Sequence, residues 1–342
     1  MNDNPIDNSN ENEFYFQWHF LERCNLRCVH CYQNHHDCSE LSKSELFLIA
    51  SNMENALKKW GKIGRISLTG GEPFIHKDLL VQLVDYFNYS DQFGRIGILT
   101  NGTLIDDAIA LELKSFNKLH EIQVSIDGSN AYIHDQIRGK GSFYKAVEGI
   151  KLLREYGYFV SIMFTLHKIN QDDVLNVIDL AEKLNVNAIT IERVTPMSIE
   201  DISNLYIEPE ELHIIYNNIY RKKQELTGRL KLKIRVARPL WTLIDEELGG
   251  FCPAGFTSLC ILHDGTVLPC RRLEIPLGNI LTDGLYKIWY TSDVLWRIRN
   301  KKLLTGKCKG CSFLQNCGGC RAVAYHVNGD YMAEDPQCWK NE

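Results

Sequence analysis

Long hydrophobic segments are missing from the 342-residue sequence. Nowhere do about 18 apolar residues follow one another without a charge, which is the shortest stretch that crosses a membrane as a helix. The first residues, MNDNPIDNSNENE, lack the basic and apolar segments of a secretory signal. We therefore expect a cytoplasmic protein that has no membrane partner.

An excess of basic residues is missing as well. The sequence has 38 lysines and arginines against 43 aspartates and glutamates, which gives a formal net charge of -5 at pH 7. Proteins that bind nucleic acid concentrate positive charge against the phosphate backbone. We therefore expect no nucleic-acid partner.

Cysteine is absent from the whole middle of the chain, between Cys38 and Cys252, although the chain has twelve cysteines. Four of them lie between Cys24 and Cys38, and eight lie between Cys252 and Cys338. Because a reducing cytoplasm does not preserve structural disulfides, two dense groups of thiols indicate metal or redox chemistry.

The stretch between the cysteine groups predicts alternating strands and helices. We predict strands at residues 14–21, 65–69, 95–100, 121–126, 159–166 and 188–194. We predict helices at residues 42–60, 78–90, 105–115, 143–156, 172–184 and 209–226, the first opened by a capping box of Ser42 and Glu45. Six such units predict a parallel sheet, either a partial barrel or a doubly wound open sheet.

The unusual residues follow the predicted strands. In both architectures, functional groups collect at the carboxyl ends of the strands. Those ends carry the loop from Cys24 to Cys31 and the strings TGGEP at 69–73, TNG at 100–102, SIDG at 125–128 and ER at 192–193. The sequence therefore predicts one site at this edge of the sheet.

The first loop has the spacing Cys24-X3-Cys28-X2-Cys31. Thiolates are soft ligands that suit iron–sulfur clusters or zinc. Three thiolates leave one iron of a four-iron cluster open to a chelating ligand, whereas a structural zinc site closes with a fourth ligand, for which His30 or His35 is available.

This loop, followed by Thr69-Gly70-Gly71-Glu72-Pro73 after the next strand, resembles the radical SAM superfamily. The resemblance implies a partial (β/α)6 TIM-like barrel with a [4Fe-4S] cluster on the three cysteines. It also implies reductive cleavage of S-adenosylmethionine (SAM) to methionine and a 5′-deoxyadenosyl radical that abstracts hydrogen from a substrate. His30 departs from the aromatic residue that the family often has before the third cysteine.

The resemblance also implies the residues that contact SAM. Tyr32 matches the aromatic residue near the adenine, and the glycine-rich motif binds the amino group. Ser125 and Asp127 match positions that bind the ribose or the carboxylate of SAM. Arg138 and Arg193 match positions whose side chains pair with that carboxylate. The full implied set is Tyr32, Gly70, Gly71, Glu72, Asn101, Ser125, Asp127, Arg138 and Arg193.

The C-terminal cysteines resemble the SPASM extension of radical SAM enzymes. They read Cys252-X7-Cys260-X4-Gly265-X4-Cys270, Cys308-X2-Cys311-X5-Cys317-X2-Cys320 and Cys338. The resemblance implies two auxiliary [4Fe-4S] clusters, the first on Cys252, Cys260, Cys270 and Cys320 and the second on Cys308, Cys311, Cys317 and Cys338. The family usually has three residues before Cys320, where this chain has two, and a zinc ribbon is the alternative for these cysteines in isolation. Cys38 is left as a thiol that ligates no cluster.

The implied organisation is a disordered leader at 1–13, a radical SAM barrel at 14–226, a linking segment at 227–251 and a SPASM domain at 252–342. We expect a peptide or protein side chain as the substrate, for cross-linking or oxidation, and a flavodoxin- or ferredoxin-type electron donor. The alternatives are modification of a tetrapyrrole, maturation of a metal-cofactor oxidoreductase, or a non-catalytic zinc-binding interaction module. No catalytic base is identified, since Glu192, His134 and Asp264 are equally explained as structural residues.

Overall fold

The computed structural model describes residues 12–33, 40–227, 231–236, 238–250 and 252–340. Nearly all of the predicted leader, and Cys38, lie outside the described residues.

One sheet of ten strands organises the described chain, in the order β10-β9-β8-β1-β2-β3-β4-β5-β6-β7. The strands β1 to β7 are parallel neighbours, and β8 adds to the other side of β1, also in parallel. Their bounds are Glu13–His19, Ile63–Thr69, Phe93–Thr100, Leu119–Ser125, Val160–Leu166, Ala188–Arg193, Lys233–Arg235, Ser258–Ile261, Thr266–Leu268 and Gly278–Asn279 for β1 to β10. All six predicted strands are confirmed, and their sequential parallel order is that of the partial barrel.

Eleven α-helices lie in the described part of the chain. They are Lys43–Trp60, Lys77–Tyr89, Asp107–Glu112, Ala131–Arg138, Ser142–Glu155, Val174–Lys183, Ile199–Leu205, Pro209–Leu226, Leu285–Thr291, Asp293–Arg299 and Arg321–Asn328, named α1 to α11. The six predicted helices correspond to α1, α2, α3, α5, α6 and α8. Sequence periodicity missed α4 and α7, which have eight and seven residues and span only about two turns. None of the described helices is both long and apolar enough to cross a membrane.

Local sequence explains how the barrel elements begin and pack. Ser42 and Glu45 form the predicted capping box at the start of α1. Phe14, Phe16 and Trp18 alternate along β1 and are buried in the main hydrophobic core. Because side chains of a strand alternate between its two faces, the polar residues between them face the other side of the sheet.

The predicted linking segment is partly built into the barrel. It contains β7, which pairs with β6, and two short 3-10 helices at Pro239–Leu243 and Glu246–Leu248. The first strand of the C-terminal region, β8, pairs with β1 through Tyr15–Ser258 and the three residue pairs that follow. The main core also extends into the C-terminal region as far as Leu295. The sheet and the core therefore run continuously from the barrel into the cysteine-rich region.

Candidate active site

A cavity of about 1020 Å³ fills the barrel lumen. Its wall is formed by the strand residues that alternate with the apolar core residues. These are chiefly Tyr15, Gln17, His19, Arg65, Ser67, Thr69, Arg95, Gly97, Leu99, Glu121, Gln123, Ser125, Met163, Thr165, Thr190 and Glu192. Cys24, Cys28 and Cys31 line the cavity, and so do Cys252, Cys260 and Cys270. The fold therefore brings the first cysteine loop and part of the second cysteine group to one cavity.

The loop that carries the first cysteines is held by the backbone of the TGGEP motif. Gly71 N–H donates to Leu21 O at 2.9 Å, and Glu72 N–H donates to Arg23 O at 2.8 Å. A Cβ on Gly70 would overlap the carbonyl oxygen of Leu21, and a Cβ on Gly71 would overlap that of Arg23. Glycine is therefore required here because the motif packs directly against the cysteine loop. Both glycines also line the cavity, where their predicted contact with SAM stays a prediction.

Hydrogen-bond donors surround the three sulfur atoms of this loop. Leu26 N–H donates to Cys24 Sγ and Gln33 N–H donates to Cys31 Sγ, each at 3.4 Å. Asn101 Nδ2 lies 4.0 Å from Cys24 Sγ, and Arg138 Nη1 lies 3.9 Å from Cys28 Sγ. Such donors stabilise the negative charge of thiolates and tune the potential of a cluster that they hold.

The donor set fits an iron–sulfur cluster better than a single metal ion. Within the described residues, no group of three or more histidine, cysteine, aspartate or glutamate side chains is close enough to hold one ion. His30, the described candidate for a fourth zinc ligand, is buried and lies 3.5 Å from Asp127. Burial lowers the pKa of His30 to about 3, so the imidazole is neutral.

Arg138 and Asp127 form a buried pair beside the cysteine loop. Arg138 Nε donates to Asp127 Oδ2 at 2.5 Å, while Asp127 Oδ1 accepts from Thr165 N–H at 2.8 Å. Burial alone would raise the pKa of Asp127, but the Arg138 guanidinium and the neighbouring groups bring it down to about 2. Arg138 lines the cavity, and Asp127 stands behind it as the partner that fixes its guanidinium.

Glu72 is buried at the end of β2 and joins it to the end of β3. Its carboxylate accepts from Phe74 N–H at 3.1 Å, Thr100 Oγ1 at 2.7 Å and Asn101 N–H at 2.7 Å. Burial raises the pKa of Glu72 to about 7, although these hydrogen bonds oppose the rise. Glu72 thus orients Asn101, which lines the cavity and donates from Nδ2 to Asn25 Oδ1 at 2.9 Å.

The remaining residues predicted to contact SAM differ in whether their side chains already bind other residues of the protein. Ser125, at the end of β4, and Tyr32 both line the cavity. Arg193 lines it too, but its Nη1 donates to Asp335 Oδ1 at 3.0 Å and to Gln337 Oε1 at 2.6 Å, and its Nη2 donates to Asp335 Oδ2. The terminal nitrogens of Arg193 therefore bind the C-terminal region, and its predicted contact with the SAM carboxylate stays a prediction.

Three arginines that sequence analysis did not single out lie between Tyr32 and the second cysteine group. Arg271 Nη2 donates to Tyr32 O at 2.8 Å, Arg272 Nη2 lies 2.9 Å from Glu192, and Arg238 also pairs with Glu192. Arg238 and Arg272 bring the pKa of Glu192 down to about 2, against the effect of its burial, which makes Glu192 a poor proton acceptor. The dipeptide Arg271-Arg272 directly after Cys270 was the sequence signal for this cluster.

The other two candidate bases also have structural roles. His134 Nδ1 accepts from Asp127 N–H at 3.2 Å, and Asp264 accepts from Thr266 in the turn between β8 and β9. His19 was overlooked: it is buried at the end of β1 and lines the cavity, and burial lowers its pKa well below the usual value, so its imidazole is neutral.

The C-terminal cysteines collect in two neighbourhoods. The pKa of Cys252 is raised to about 11, first by burial and then by the nearby thiols of Cys270 and Cys320. Cys317 lies near Cys308 and Cys338, and its pKa is raised to about 12, again first by burial. Each neighbourhood contains three of the four cysteines in one of the sets that the SPASM resemblance implies, and the ligand assignment stays a prediction.

Two sequence families match this chain. Residues 18–181 match the radical SAM superfamily, and residues 252–312 match the iron–sulfur cluster-binding SPASM domain. The AdoMet-dependent heme synthase of Methanosarcina barkeri is 29% identical over 94% of this chain and 95% of its own length. The subtilosin biosynthesis protein AlbA of Bacillus subtilis is 27% identical over 98% of this chain and 74% of its own length.

Solved structures share the fold. The crystal structure of Streptococcus suis SuiB bound to S-adenosylmethionine superposes with a TM-score of 0.73 at 17% identity, over 96% of this chain and 76% of SuiB. Native anSMEcpe with bound AdoMet gives a TM-score of 0.70 at 20% identity, over 91% of this chain and 90% of that protein. These likenesses show the shared fold, and the two family matches and the enzymes among the relatives show that the chain belongs to the radical SAM superfamily, as an enzyme that carries a SPASM domain.

Proposed function

We propose that this enzyme uses a SAM-derived radical to oxidise a carboxylate-bearing tetrapyrrole. The observation that carries the proposal is the charge of the lumen. Eight arginines and one lysine line the cavity; six acidic residues pair with seven of these arginines, and Arg65 has no salt bridge among the described residues. Guanidinium groups bind carboxylates through paired hydrogen bonds, so a lumen of this composition favours an anionic substrate.

The family supports SAM and [4Fe-4S] clusters as cofactors, and we assign their ligands as follows. Cys24, Cys28 and Cys31 hold the SAM-cleaving cluster, which supplies the electron for cleavage when bound. Arg138 and Asn101, which donate toward the sulfur atoms, stabilise its charge and border the space for SAM. The glycines of TGGEP let this space form without displacing the cysteine loop.

We assign two auxiliary clusters to the C-terminal cysteines, which makes three clusters in all. The first takes Cys252, Cys260, Cys270 and Cys320, and the second takes Cys308, Cys311, Cys317 and Cys338. Since each set offers four thiolates, neither cluster has an open iron, and electron transfer is the role left to them. A flavodoxin- or ferredoxin-type donor and a cytoplasmic location remain predictions.

The substrate class follows from the lumen and from the relatives. Haem is a tetrapyrrole with propionate side chains, and the match with the heme synthase of M. barkeri extends over nearly the full length of both proteins. The cavity lies at the upper end of the range of roughly 300–1,000 Å³ for small-molecule sites, so it accommodates SAM and a second ligand. For a propionate, abstraction of a hydrogen atom β to the carboxylate and loss of CO2 and one electron yield a vinyl group.

A peptide or protein side chain is the second candidate. It is favoured by the similarity to AlbA, a bacteriocin biosynthesis protein, and by the fold shared with SuiB, which has also been crystallised with its precursor peptide SuiA. A neutral peptide segment gives no reason for the excess of arginines in the lumen, which is why we rank the tetrapyrrole first.

The test is turnover by anaerobically reconstituted enzyme with SAM and a chemical reductant. We expect iron coproporphyrin III, a porphyrin with four propionates, to yield 5′-deoxyadenosine together with a porphyrin that has lost CO2 and two hydrogens per converted side chain. Its tetramethyl ester should give neither product. Cleavage of SAM that never alters the porphyrin, while a peptide is modified instead, would establish the second candidate. Zinc without iron in the purified protein would contradict both.

A further inference from the structure

The lower end of the lumen, at the amino ends of the strands and away from the first cysteine loop, contains a second group of arginines. Arg65 and Arg95 lie side by side on β2 and β3, and Arg235 lies on β7. All three line the cavity, together with Tyr15 and His120. We call Arg65, Arg95 and Arg235 the lower arginine cluster.

Two of these arginines have acidic partners. Arg95 Nη2 lies 2.5 Å from Glu13 Oε1, and Arg235 Nη1 lies 2.6 Å from Glu121 Oε1. Arg65 instead places its guanidinium 4.6 Å from the centre of the Tyr15 ring. No salt bridge joins Arg65 to any carboxylate among the described residues. Burial lowers the pKa of Arg65, which still leaves it charged at neutral pH.

The cluster also has an unused donor. Arg235 is buried, with 8% of its surface exposed, and its Nε has no hydrogen-bond partner. Its guanidinium lies 5.4 Å from the centre of the Phe159 ring. Leaving a buried donor unpaired costs free energy, but this nitrogen is itself buried, so the Arg235 side chain would have to turn before an acceptor in the cavity could bind it.

The position of the cluster separates it from the radical chemistry. Arg65 precedes Thr69, the first residue of the TGGEP motif, by four residues of β2. At about 3.3 Å per residue, this places Arg65 roughly 13 Å below the level of that motif along the strand. An anionic group held by Arg65 would therefore lie well away from the carbon that loses hydrogen.

We propose that the lower arginine cluster is a carboxylate-binding subsite that anchors the end of the substrate that does not react. Arg65 supplies a guanidinium without a salt bridge among the described residues, although Glu13 and Glu121 are near enough to attract it. Arg235 supplies a second guanidinium. This inference rests on the proposed function only for the molecule that carries the carboxylate. Holding the remote carboxylate fixes the distance between the reacting side chain and SAM, which is how remote contacts contribute to the orientation of a substrate.

The experiment compares holoenzyme with the Arg65→Met and Arg65→Gln variants, in the presence of SAM. The first probe is iron coproporphyrin III, followed by its absorption spectrum, and the second is propane-1,2,3-tricarboxylate, followed by the melting temperature. We expect Arg65→Met to bind the porphyrin roughly 10- to 100-fold more weakly, because one charged hydrogen-bonding partner is lost. The tricarboxylate should raise the melting temperature of the wild type and not that of the variant. Arg221→Met, on the exposed side of α8, is the matched control and should behave as the wild type.

The outcomes distinguish failure of the carboxylate subsite from failure of the tetrapyrrole as substrate. Equal binding of the probes by the wild type and the folded Arg65 variants, or binding of neither probe by the wild type, overturns the subsite. Binding of the tricarboxylate alone, lost in the variants, supports the subsite and counts against a tetrapyrrole. If Arg65→Met loses iron, the comparison is made with Arg65→Gln, which retains polar groups beside Tyr15.

Discussion

Replacing Asp335 by Asn tests how the C-terminal region is attached to the barrel. Asp335 accepts four hydrogen bonds: two from Arg193, one from Cys320 N–H at 2.7 Å and one from Gln337 N–H at 3.0 Å. The side chains of Arg193 and Asp335 are 7% and 0% exposed. Asparagine has the same shape but no charge, and it has one oxygen where aspartate has two.

The expected cost is that of a buried charge without its partner, about 3–5 kcal/mol. Burial opposes ionisation of Asp335, but Arg193 and the hydrogen bonds leave its pKa below the usual value. A lowered carboxyl pKa stabilises the folded protein above the unfolded pKa of about 3.9, and this contribution is lost as the pH falls through the folded pKa. At pH 7 the pair therefore contributes fully, and the effect of the substitution is largest there.

The assay is iron content together with the melting temperature, since a protein with several clusters does not unfold in two states. Because Asp335 anchors the backbone of Cys320, we expect Asp335→Asn to lose the first auxiliary cluster, lowering iron from about twelve to about eight atoms per chain. Glu148→Gln is the control: its pair with Lys151 is 70% and 50% exposed and should be worth about 0–1 kcal/mol. Full iron content and an unchanged melting temperature in Asp335→Asn would refute the reasoning.

Three further predictions concern the first cysteine loop. Replacing its three cysteines by alanine should lower iron from about twelve to about eight atoms per chain and abolish 5′-deoxyadenosine formation, and residual product would contradict the cluster assignment. Gly71→Ala should reduce both iron content and SAM cleavage, because its Cβ overlaps Arg23 O, and loss of SAM affinity with full iron content would show that the glycine serves SAM alone. Burial raises the pKa of Glu72 to about 7, so the folded protein holds a proton that the unfolded chain releases near pH 4.3. The melting temperature should therefore fall as the pH rises from about 4.3 to 7, and Glu72→Gln should flatten this profile.

Much of the barrel could be predicted from the sequence because its determinants are local. Ser42 and Glu45 specify the start of α1, and apolar residues at helical and strand spacing identify the six βα units. The three-residue strand β7 escaped prediction since so short a segment has no periodicity of its own. Its place in the sheet depends on β6, to which it pairs from residue 233 onward.

The candidate site was predictable only in part, because only some of its determinants are local in the sequence. The cysteine spacings and TGGEP are contiguous motifs, so their chemistry could be recognised without coordinates. The pairing of Arg193 with Asp335 could not be recognised in this way, because the two residues are 142 positions apart in the chain. Polar residues alternate with apolar ones along β1 to β4, but nothing in the local sequence tells which of them meet across the lumen.

The sequence by itself determined the chemistry of this protein: three thiolates on one loop, a glycine motif after the next strand, and eight further thiolates near the C-terminus. Only the tertiary structure decided that both cysteine groups open into one cavity, since that depends on β8 pairing with β1 across more than two hundred residues of chain. It also decided that the arginines of β2, β3 and β7 converge while Arg65 lacks an acidic partner among the described residues. Ligand spacing is written in neighbouring residues, whereas the charge balance of a lumen arises only when distant strands close around it.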